Sequence, residues 1–507
     1  MSDRLPRSSG LLLHPTSLPG PYGIGDLGPA AHAWVDTLAR AKQTWWQILP
    51  VGPTGFGDSP YQSFSTFAGN LNLVSPDWLV RDGLVTADEV GRPTFPAGRV
   101  DFPAVEAFKL SLVRRAWRNF QDGRASYLRD AYNWFLEERR GWLADYALFM
   151  SLKDVYHGRP WYDWRSEHRT HDAGGPALAA ARSELADQIG AYQFGQFLFF
   201  RQWHDLKRHA RERDVRLIGD VPIFVSPDSA DVWAYPRGYL LDENLRPRVV
   251  AGVPPDYFSR TGQLWGNPHY DWEAMKRDGY AWWVARVRAA LELVDLVRLD
   301  HFRGFVAAWQ IPAGEPTAVK GEWVPGPGAD LFERLRAEFG KLPFIAEDLG
   351  EITPDVFALR DRLGLPGMKV IQFAFDGPTN PFLPHNYTPH FAAYTGTHDN
   401  DTTRGWWATA PDKEKAYFRK YTGHDGSDIA WDLIRLAWGS VADLAITPVQ
   451  DVLDLGTEHR MNLPGVGEGN WRWRMTEGAL TERVLERLTE ITGVYGRVPR
   501  DRGGHPS

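Results

Sequence analysis

The 507-residue chain is long enough to bury an extensive core, and 57 basic against 64 acidic residues leave a net charge of −7 that argues against a nucleic-acid partner. Without cysteine, neither disulfides, thiolate metal sites nor a cysteine nucleophile enter the argument. The N-terminal LLL run is too short for a secretory core and no window reaches membrane-span length, so a soluble, cytoplasmic protein with no membrane partner is expected.

Short apolar runs separated by helical stretches succeed one another along the chain, the pattern of parallel βα units. The first strand is predicted near Leu11 to Leu13. HPTSLPGP follows, then YGIGDLG, where Gly23, Gly25 and Gly28 spell G-x-G-x-x-G ahead of the helical PAAHAWVDTLARA. A dinucleotide fingerprint needs its glycines directly after a strand, so the intervening prolines argue against a nucleotide cofactor. The second strand, Thr44 to Val51, leads into GPTGFGDSPYQSFSTFAGN, whose Ser59, Tyr61 and Gln62 suit turn packing and ligand stacking equally. From about 80 to 213 the pattern turns helical, most strongly from Phe102 to Arg213, which predicts a helical insertion. A strand over Arg216 to Phe224 is followed by a region of about 225 to 275 containing AGVPPDYFSRTGQLWGNPHYDW. Its Pro/Gly punctuation predicts a loop, and its Tyr257, Phe258, Trp265, Tyr270 and Trp272 suit either a self-packed loop or an aromatic lid. Further strands are predicted at Leu293 to Arg298, Pro343 to Glu347, Lys369 to Phe375, Ala393 to Thr397 and Leu444 to Pro448. Eight strands predict a (β/α)8 barrel, one catalytic domain over residues 1–507, with a frayed tail RDRGGHPS.

In such a barrel the reacting groups sit at the carboxyl ends of the strands, and here those ends carry acids. IGDVPIF offers Asp220, VRLDHF offers Asp300, FIAEDLG offers Glu347 and Asp348, and TGTHDND offers His398, Asp399 and Asp401. Each alone reads equally as a cap or an ion pair; four strand ends aimed at one mouth suit glycoside cleavage through an oxocarbenium-like transition state. Arg298 shares a strand face with Asp300 and would keep it ionised as the nucleophile. Asp300 and Glu347 end consecutive predicted strands about 4.8 Å apart, which suits a retaining rather than an inverting enzyme. Desolvation and a neighbouring acid would raise the pKa of Glu347, but sequence patterning leaves Glu347 and Asp348 unranked as the general acid. His398 and Asp399 would hold hydroxyls of the distorted sugar.

HPTSLPGPYGIGDLG, ILPVGPTGFGDSPYQSFSTFAGN, LIGDVPIFV, GVPPDYFSRTGQLWGNPHYDW, VRLDHFRGF, IAEDLG, YTGTHDND and RMNLPG resemble, in order, the motifs of 4-α-glucanotransferases of the amylomaltase or disproportionating-enzyme type. The resemblance runs from about Ser9 to Trp473. It implies a (β/α)8 barrel of the α-amylase clan with subdomain insertions, no separate C-terminal β-sandwich and no required cofactor or metal. Its partners would be α-1,4-glucans (maltodextrins, amylose, starch or glycogen chains), with glucose as an acceptor. It also implies Asp300 as nucleophile, Glu347 rather than Asp348 as acid/base and Asp399 as transition-state stabiliser. Arg298, Asp220, His301 and His398 would line the subsite of the cleaved sugar. Tyr61, with Ser59 beside it, and Tyr257, Phe258, Gln263, Trp265 and Asn267 would contact neighbouring glucose units. Two departures are visible: Val466 stands where the motif has threonine, putting a hydrogen bond near Asn462 in doubt, and FAGNLNLVS stands where FAGNP is expected.

A hydrolytic amylase and a non-catalytic glucan-binding protein are the competing readings. The intact trio of acids argues against the binder, and the lack of a D-x-[DN]-x-[DN]-G calcium loop argues against the amylase. Transfer and hydrolysis share one glycosyl-enzyme ester and differ in what attacks it, so the transferase must orient a sugar 4-hydroxyl better than water.

Overall fold

The computed structural model describes residues 4–172, 174–255 and 259–499. Tyr257 and Phe258 lie outside the described residues. The strands are β1 Ser8–Leu12, β2 Trp45–Gln47, β3 Arg216–Pro222, β4 Val249–Val253, β5 Gln263–Pro268, β6 Leu296–Asp300, β7 Ala307–Pro312, β8 Glu322–Pro325, β9 Phe344–Ala346, β10 Gly367–Val370, β11 Phe391–Tyr394 and β12 Leu444–Pro448. Eight of them form one parallel sheet in the order β10-β11-β12-β1-β2-β3-β6-β9, a TIM-like near-barrel. Its two ends meet where the Ala346 N–H donates to the Pro366 carbonyl at 2.9 Å. Asp348 reinforces that seam: Oδ1 accepts from the Met368 N–H at 2.8 Å and Oδ2 pairs with Arg360. The acid that patterning left level with Glu347 is therefore occupied in closing the barrel.

All eight predicted barrel strands are present, with shifted ends. The Thr44–Val51 run pairs as a strand only over Trp45–Gln47, and the Lys369–Phe375 run becomes β10 plus a 3-10 turn, Ile371–Phe373. Ile48, Leu49, Ile371, Ala374 and Phe375 are nonetheless buried. Apolar runs report burial, and at the barrel mouth the chain turns while still covered by other elements. Inside, buried polar groups meet: Tyr394 donates to Gln47 Oε1 at 2.8 Å and feels the charges of Asp220 and Arg298.

Between β2 and β3 lie helices that include Phe102–Gln121, Arg129–Glu138, Leu143–Val155 and Ala186–Glu212. In the first, Asp101 caps the Ala104 N–H, and Val105, Leu112, Ala116 and Phe120 face inward at three- and four-residue spacing. Lys109 shares that buried stripe and is matched by Asp26 Oδ2 and the Val74 carbonyl, both at 2.8 Å. The 27-residue helix Ala186–Glu212 also serves the barrel: the Trp203 indole donates to the Leu293 carbonyl and Lys207 Nζ to those of Glu292 and Val294.

Part of the segment expected to be an aromatic loop is instead sheet. β4 and β5 form an antiparallel pair, extended by β7 and β8 in the order β5-β4-β7-β8. Gly252, Gly266, Pro268, Pro312 and Pro325 lie in these strands and hid them from a reading based on alternation and breakers. Among the described residues no strand follows Pro448, and no helix is long and apolar enough to cross a membrane. The glycines of YGIGDLG serve packing: a Cβ on Gly25 would lie 2.0 Å from the Pro15 carbonyl oxygen, and one on Gly28 2.2 Å from Ser75 Oγ.

Candidate active site

Registration of β3 on β6 sets Asp220 beside Arg298, and Arg298 and Asp300 share one face of β6. Arg298 Nη1 lies 2.9 and 2.7 Å from the Asp220 oxygens and 2.8 Å from Asp300 Oδ1. One guanidinium thus serves two carboxylates. They differ in access: the Asp220 side chain is fully shielded, that of Asp300 is 27% exposed, and Arg298 itself is 4% exposed. Only Asp300 of this trio opens onto the mouth. Burial raises Asp220 to about 7, against the pull of Arg298 and with a further push from Asp300.

β9 pairs with β6, so Glu347, one residue past β9, comes level with Asp300. Its Oε2 accepts from the His301 N–H at 2.7 Å and its Oε1 from the Leu349 N–H at 3.0 Å. Desolvation raises its carboxyl to about 7; Arg298 draws it down, Asp300 pushes it up, and the two backbone donors favour the anion. His301 presents its N–H by adopting a left-handed backbone, φ +53°. Its ring meets Trp265 edge-on at 4.8 Å, and burial lowers its pKa to about 4, leaving a neutral imidazole whose Nε2 has no hydrogen-bond partner among the described residues.

Asp399 stands on the loop after β11 with its side chain 41% exposed. Asn462 Nδ2 donates to its Oδ1 at 2.6 Å and His398 Nε2 lies 3.3 Å from Oδ2. Tyr61 ties this side of the mouth to the other: its hydroxyl donates to Asp220 Oδ2 at 2.9 Å and lies 2.8 Å from His398 Nε2. The Tyr61 ring stacks on His398 at 5.3 Å and leans on Trp471 at 5.7 Å. Burial holds the His398 pKa below its ordinary value.

The structure therefore gathers Tyr61, Asp220, Arg298, Asp300, His301, Glu347, His398, Asp399 and, through His301, Trp265. Asp220, Arg298 and His398, expected to line the sugar subsite, are all buried: Asp220 and Arg298 are bonded to one another, Arg298 also reaches Asp300, and His398 lies between Tyr61 and Asp399. Ser59 Oγ accepts from the Tyr61 N–H at 3.2 Å, a local turn that sets the tyrosine. Gln62 Nε2 donates to Asn267 Oδ1 at 3.3 Å, Asn267 Nδ2 donates to the Val225 carbonyl at 2.7 Å, and Gln263 Oε1 accepts from the Trp265 indole at 3.1 Å. Asp401 is spent elsewhere, accepting from the Thr402 N–H and from Thr457 Oγ1. Among the described residues no group of three or more His, Asp or Glu side chains could hold a metal ion.

The family model of 4-alpha-glucanotransferase matches residues 13–481. The chain belongs to the 4-alpha-glucanotransferase family. It is 53% identical over 503 residues to the 4-alpha-glucanotransferase of Thermus thermophilus, covering 97% of this chain and 100% of that one. The chloroplastic/amyloplastic 4-alpha-glucanotransferase of Solanum tuberosum is 42% identical over 503 residues, covering 97% of this chain and 87% of that one. Among solved structures, the amylomaltase from Streptococcus agalactiae in complex with acarbose aligns with TM-score 0.93 at 38% identity, over 97% of this chain and 100% of that one. The activity of this chain is thus 4-alpha-glucan transfer, and the transferase reading stands over the amylase and the binder.

The geometry of this 4-alpha-glucanotransferase adds residues that sequence reasoning passed over. Asn462, treated only as the neighbour of a doubtful hydrogen bond, grips Asp399, and Arg460 donates to the Asp399 carbonyl at 2.5 Å. Trp471 backs Tyr61 and His398. Their signal was the quoted RMNLPG and the GNWRW at 469–473, which lie beyond the last strand and so outside a search of strand ends. Val466 leaves that grip intact: Asn470 Nδ2 donates to the Val466 carbonyl at 2.8 Å and Asn470 Oδ1 accepts from the Leu463 N–H at 3.0 Å, so no side chain at 466 is needed to hold the turn. In FAGNLNLVS the turn is closed by Asn70, which accepts from the Asn72 N–H at 2.9 Å.

Proposed function

We propose that this 4-alpha-glucanotransferase works by double displacement on Asp300, with Glu347 as acid/base and Asp399 as the group that steadies the distorted sugar. The observation that carries the reading is the pair of strand-end carboxyls in contrasting settings. Asp300 faces a guanidinium and the open mouth; Glu347, one strand away, is held near neutrality by burial. The ~4.8 Å spacing of neighbouring parallel strands is compatible with the roughly 5 to 5.5 Å carboxyl separation of retaining enzymes. In the first step Glu347 gives its proton to the leaving glycosidic oxygen while Asp300 Oδ attacks the anomeric carbon, forming a glycosyl ester and releasing the shortened donor. In the second, the acceptor 4-hydroxyl loses its proton to Glu347, its oxygen attacks the anomeric carbon of the ester, and the Asp300 carboxylate departs.

One α-1,4 bond is exchanged for another, which is nearly isoenergetic, so no nucleotide or phosphate is required. Donors are maltodextrins, amylose, and starch or glycogen chains; acceptors are such glucans or glucose, and a long chain can attack its own ester to cyclise. Aromatic residues around the mouth, Tyr61 and Trp265 among them, would stack acceptor rings and limit water. We place the enzyme in the cytoplasm and read residues 1–507 as one catalytic domain, with about 80–213 as insertion and about 225–275 as cover. Acarbose, bound by the Streptococcus agalactiae relative, is expected to compete with maltodextrin here.

The test is incubation with maltotriose, following chain lengths and reducing ends together. Longer oligomers at constant reducing ends are expected. Reducing ends that climb without longer products would overturn the reading in favour of hydrolysis.

A further inference from the structure

Arg303 has no part in the mechanism above, yet it is 9% exposed and lies three residues beyond the nucleophile. The turn Phe302–Phe305 reaches the loop after β9 at successive levels. His301 donates its N–H to Glu347 Oε2 at 2.7 Å, and the Phe302 N–H donates to the Glu347 carbonyl at 3.1 Å. Arg303 Nη1 donates to the Glu351 carbonyl at 2.9 Å and to Thr353 Oγ1 at 3.2 Å. The backbone thus grips the start of the loop, and Arg303 grips its far end.

Arg303 is itself set from the other side. Its guanidinium lies 3.8 Å over the ring of Trp323 on β8. The same sheet abuts the turn again at the end of β8, where the Gly326 N–H donates to the Val306 carbonyl at 2.8 Å. A Cβ on Gly326 would lie 2.5 to 2.6 Å from the carbonyl oxygens of Phe305 and Gly304, so the two backbones are pressed together. A planar guanidinium can stack on indole and donate to a carbonyl and a hydroxyl together; an ammonium cannot reproduce that pairing.

We infer that Arg303 is a positioning residue that holds the Glu347–Thr353 loop, and with it the carboxyl of Glu347, at its working place beside Asp300, with Trp323 as the surface that orients it. The inference rests on the reading of Glu347 as acid/base. A displacement of about 1 Å at the proton donor suffices to cost on the order of 100-fold in rate.

The test separates proton transfer from the rest of catalysis. With α-maltosyl fluoride as donor, C–F cleavage releases fluoride without a proton; with azide as acceptor, attack on the ester yields the glycosyl azide and frees Asp300 without a base. For Arg303→Met, kcat on maltotriose is expected to fall by about 10- to 100-fold with KM little changed, whereas turnover of the fluoride with azide stays within about threefold. Arg303→Lys should recover only part of the loss. Trp323→Leu, at a partly exposed position, should show the same split more weakly, and it guards against a folding failure of the first variant. Equal losses in both assays for Arg303→Met and Trp323→Leu, or none in either, would overturn the role. Glu347→Gln is the control on the underlying reading: if fluoride and azide fail to restore it, the acid/base assignment fails, whatever Arg303 does.

Discussion

Under the proposed mechanism Glu347 and Asp300 would take two tasks for one functional group, the carboxyl, from different surroundings. Asp300 faces Arg298 at 2.8 Å, while Glu347 meets burial first and counter-charge only at a distance, so its carboxyl is raised to about 7. A raised carboxyl is protonated below that pH and ionised above it, and cleavage needs the protonated form. The kcat/KM for maltotriose should therefore decline as pH rises through about 7. Burial keeps His301 and His398 below their ordinary range, so histidine is not the source of that limb. Asp220 is also raised to about 7, and the two are told apart by substitution: in Asp220→Asn the alkaline decline should persist. Its disappearance would reassign the limb to Asp220. At the neighbouring acid, Asn462→Ala removes the 2.6 Å donor that orients Asp399 and should lower kcat by about 10- to 100-fold with little change in thermal stability. A loss confined to KM would count against that role.

At the scale of elements, the helix Phe102–Gln121 is fastened to the barrel through Lys109, buried against Asp26 and the Val74 carbonyl. Lys109→Ala strands a buried carboxylate and should cost about 3 to 5 kcal/mol in denaturant unfolding, whereas the pair Lys109→Met with Asp26→Asn should cost clearly less. Equal costs would mean that the charge pairing is irrelevant. The Lys109 position was legible as part of a helical stripe, but its partner, 83 residues away, was not. The same division runs through the fold. Barrel strands were legible because parallel strands buried on both faces read as apolar runs, and the acids at their ends were legible because the barrel dictates where such ends point. β4, β5, β7 and β8 are glycine- and proline-bearing and partly exposed, and only pairing with one another makes them a sheet. Likewise, that Asp220 lies shielded beside Arg298 follows from the register of β3 on β6, which no local pattern encodes. Asn462 enters from beyond the last strand, a contact that only the closed chain creates.

Over the whole molecule, the two ends of the barrel divide the work, with chemistry at the carboxyl ends of the strands and fastening at the other. At that lower end Arg497 is fully buried and, among the described residues, donates to carbonyls alone: Trp438 at 2.8 Å, Ser8 at 2.9 Å, Ser440 and Ala442 at 3.1 Å, Ala437 at 3.3 Å and Asp443 at 3.4 Å. Trp438 belongs to the final turn of the helix Ile429–Gly439, whose last carbonyls are otherwise without intrahelical partners and whose dipole favours a cation. Arg7 donates to the Ser440, Trp438 and Tyr495 carbonyls from the start of the chain, so β1, β12, that helix and the C-terminal segment converge on two arginines. Arg497→Met fills the space but removes donors from a cluster of buried carbonyls, those of Ser440 and Trp438 keeping only Arg7 among the described residues, which should cost about 3 kcal/mol or more. Because a chain of this size is apt to unfold irreversibly, the measurement is the rate of thermal inactivation, which should rise at least tenfold. Since this fastening lies at the end of the barrel away from Asp300, kcat and KM of the surviving enzyme at 25 °C should match the parent. A kinetic defect without faster inactivation would mean that the lower end communicates with the site, and the division of labour proposed here would fail.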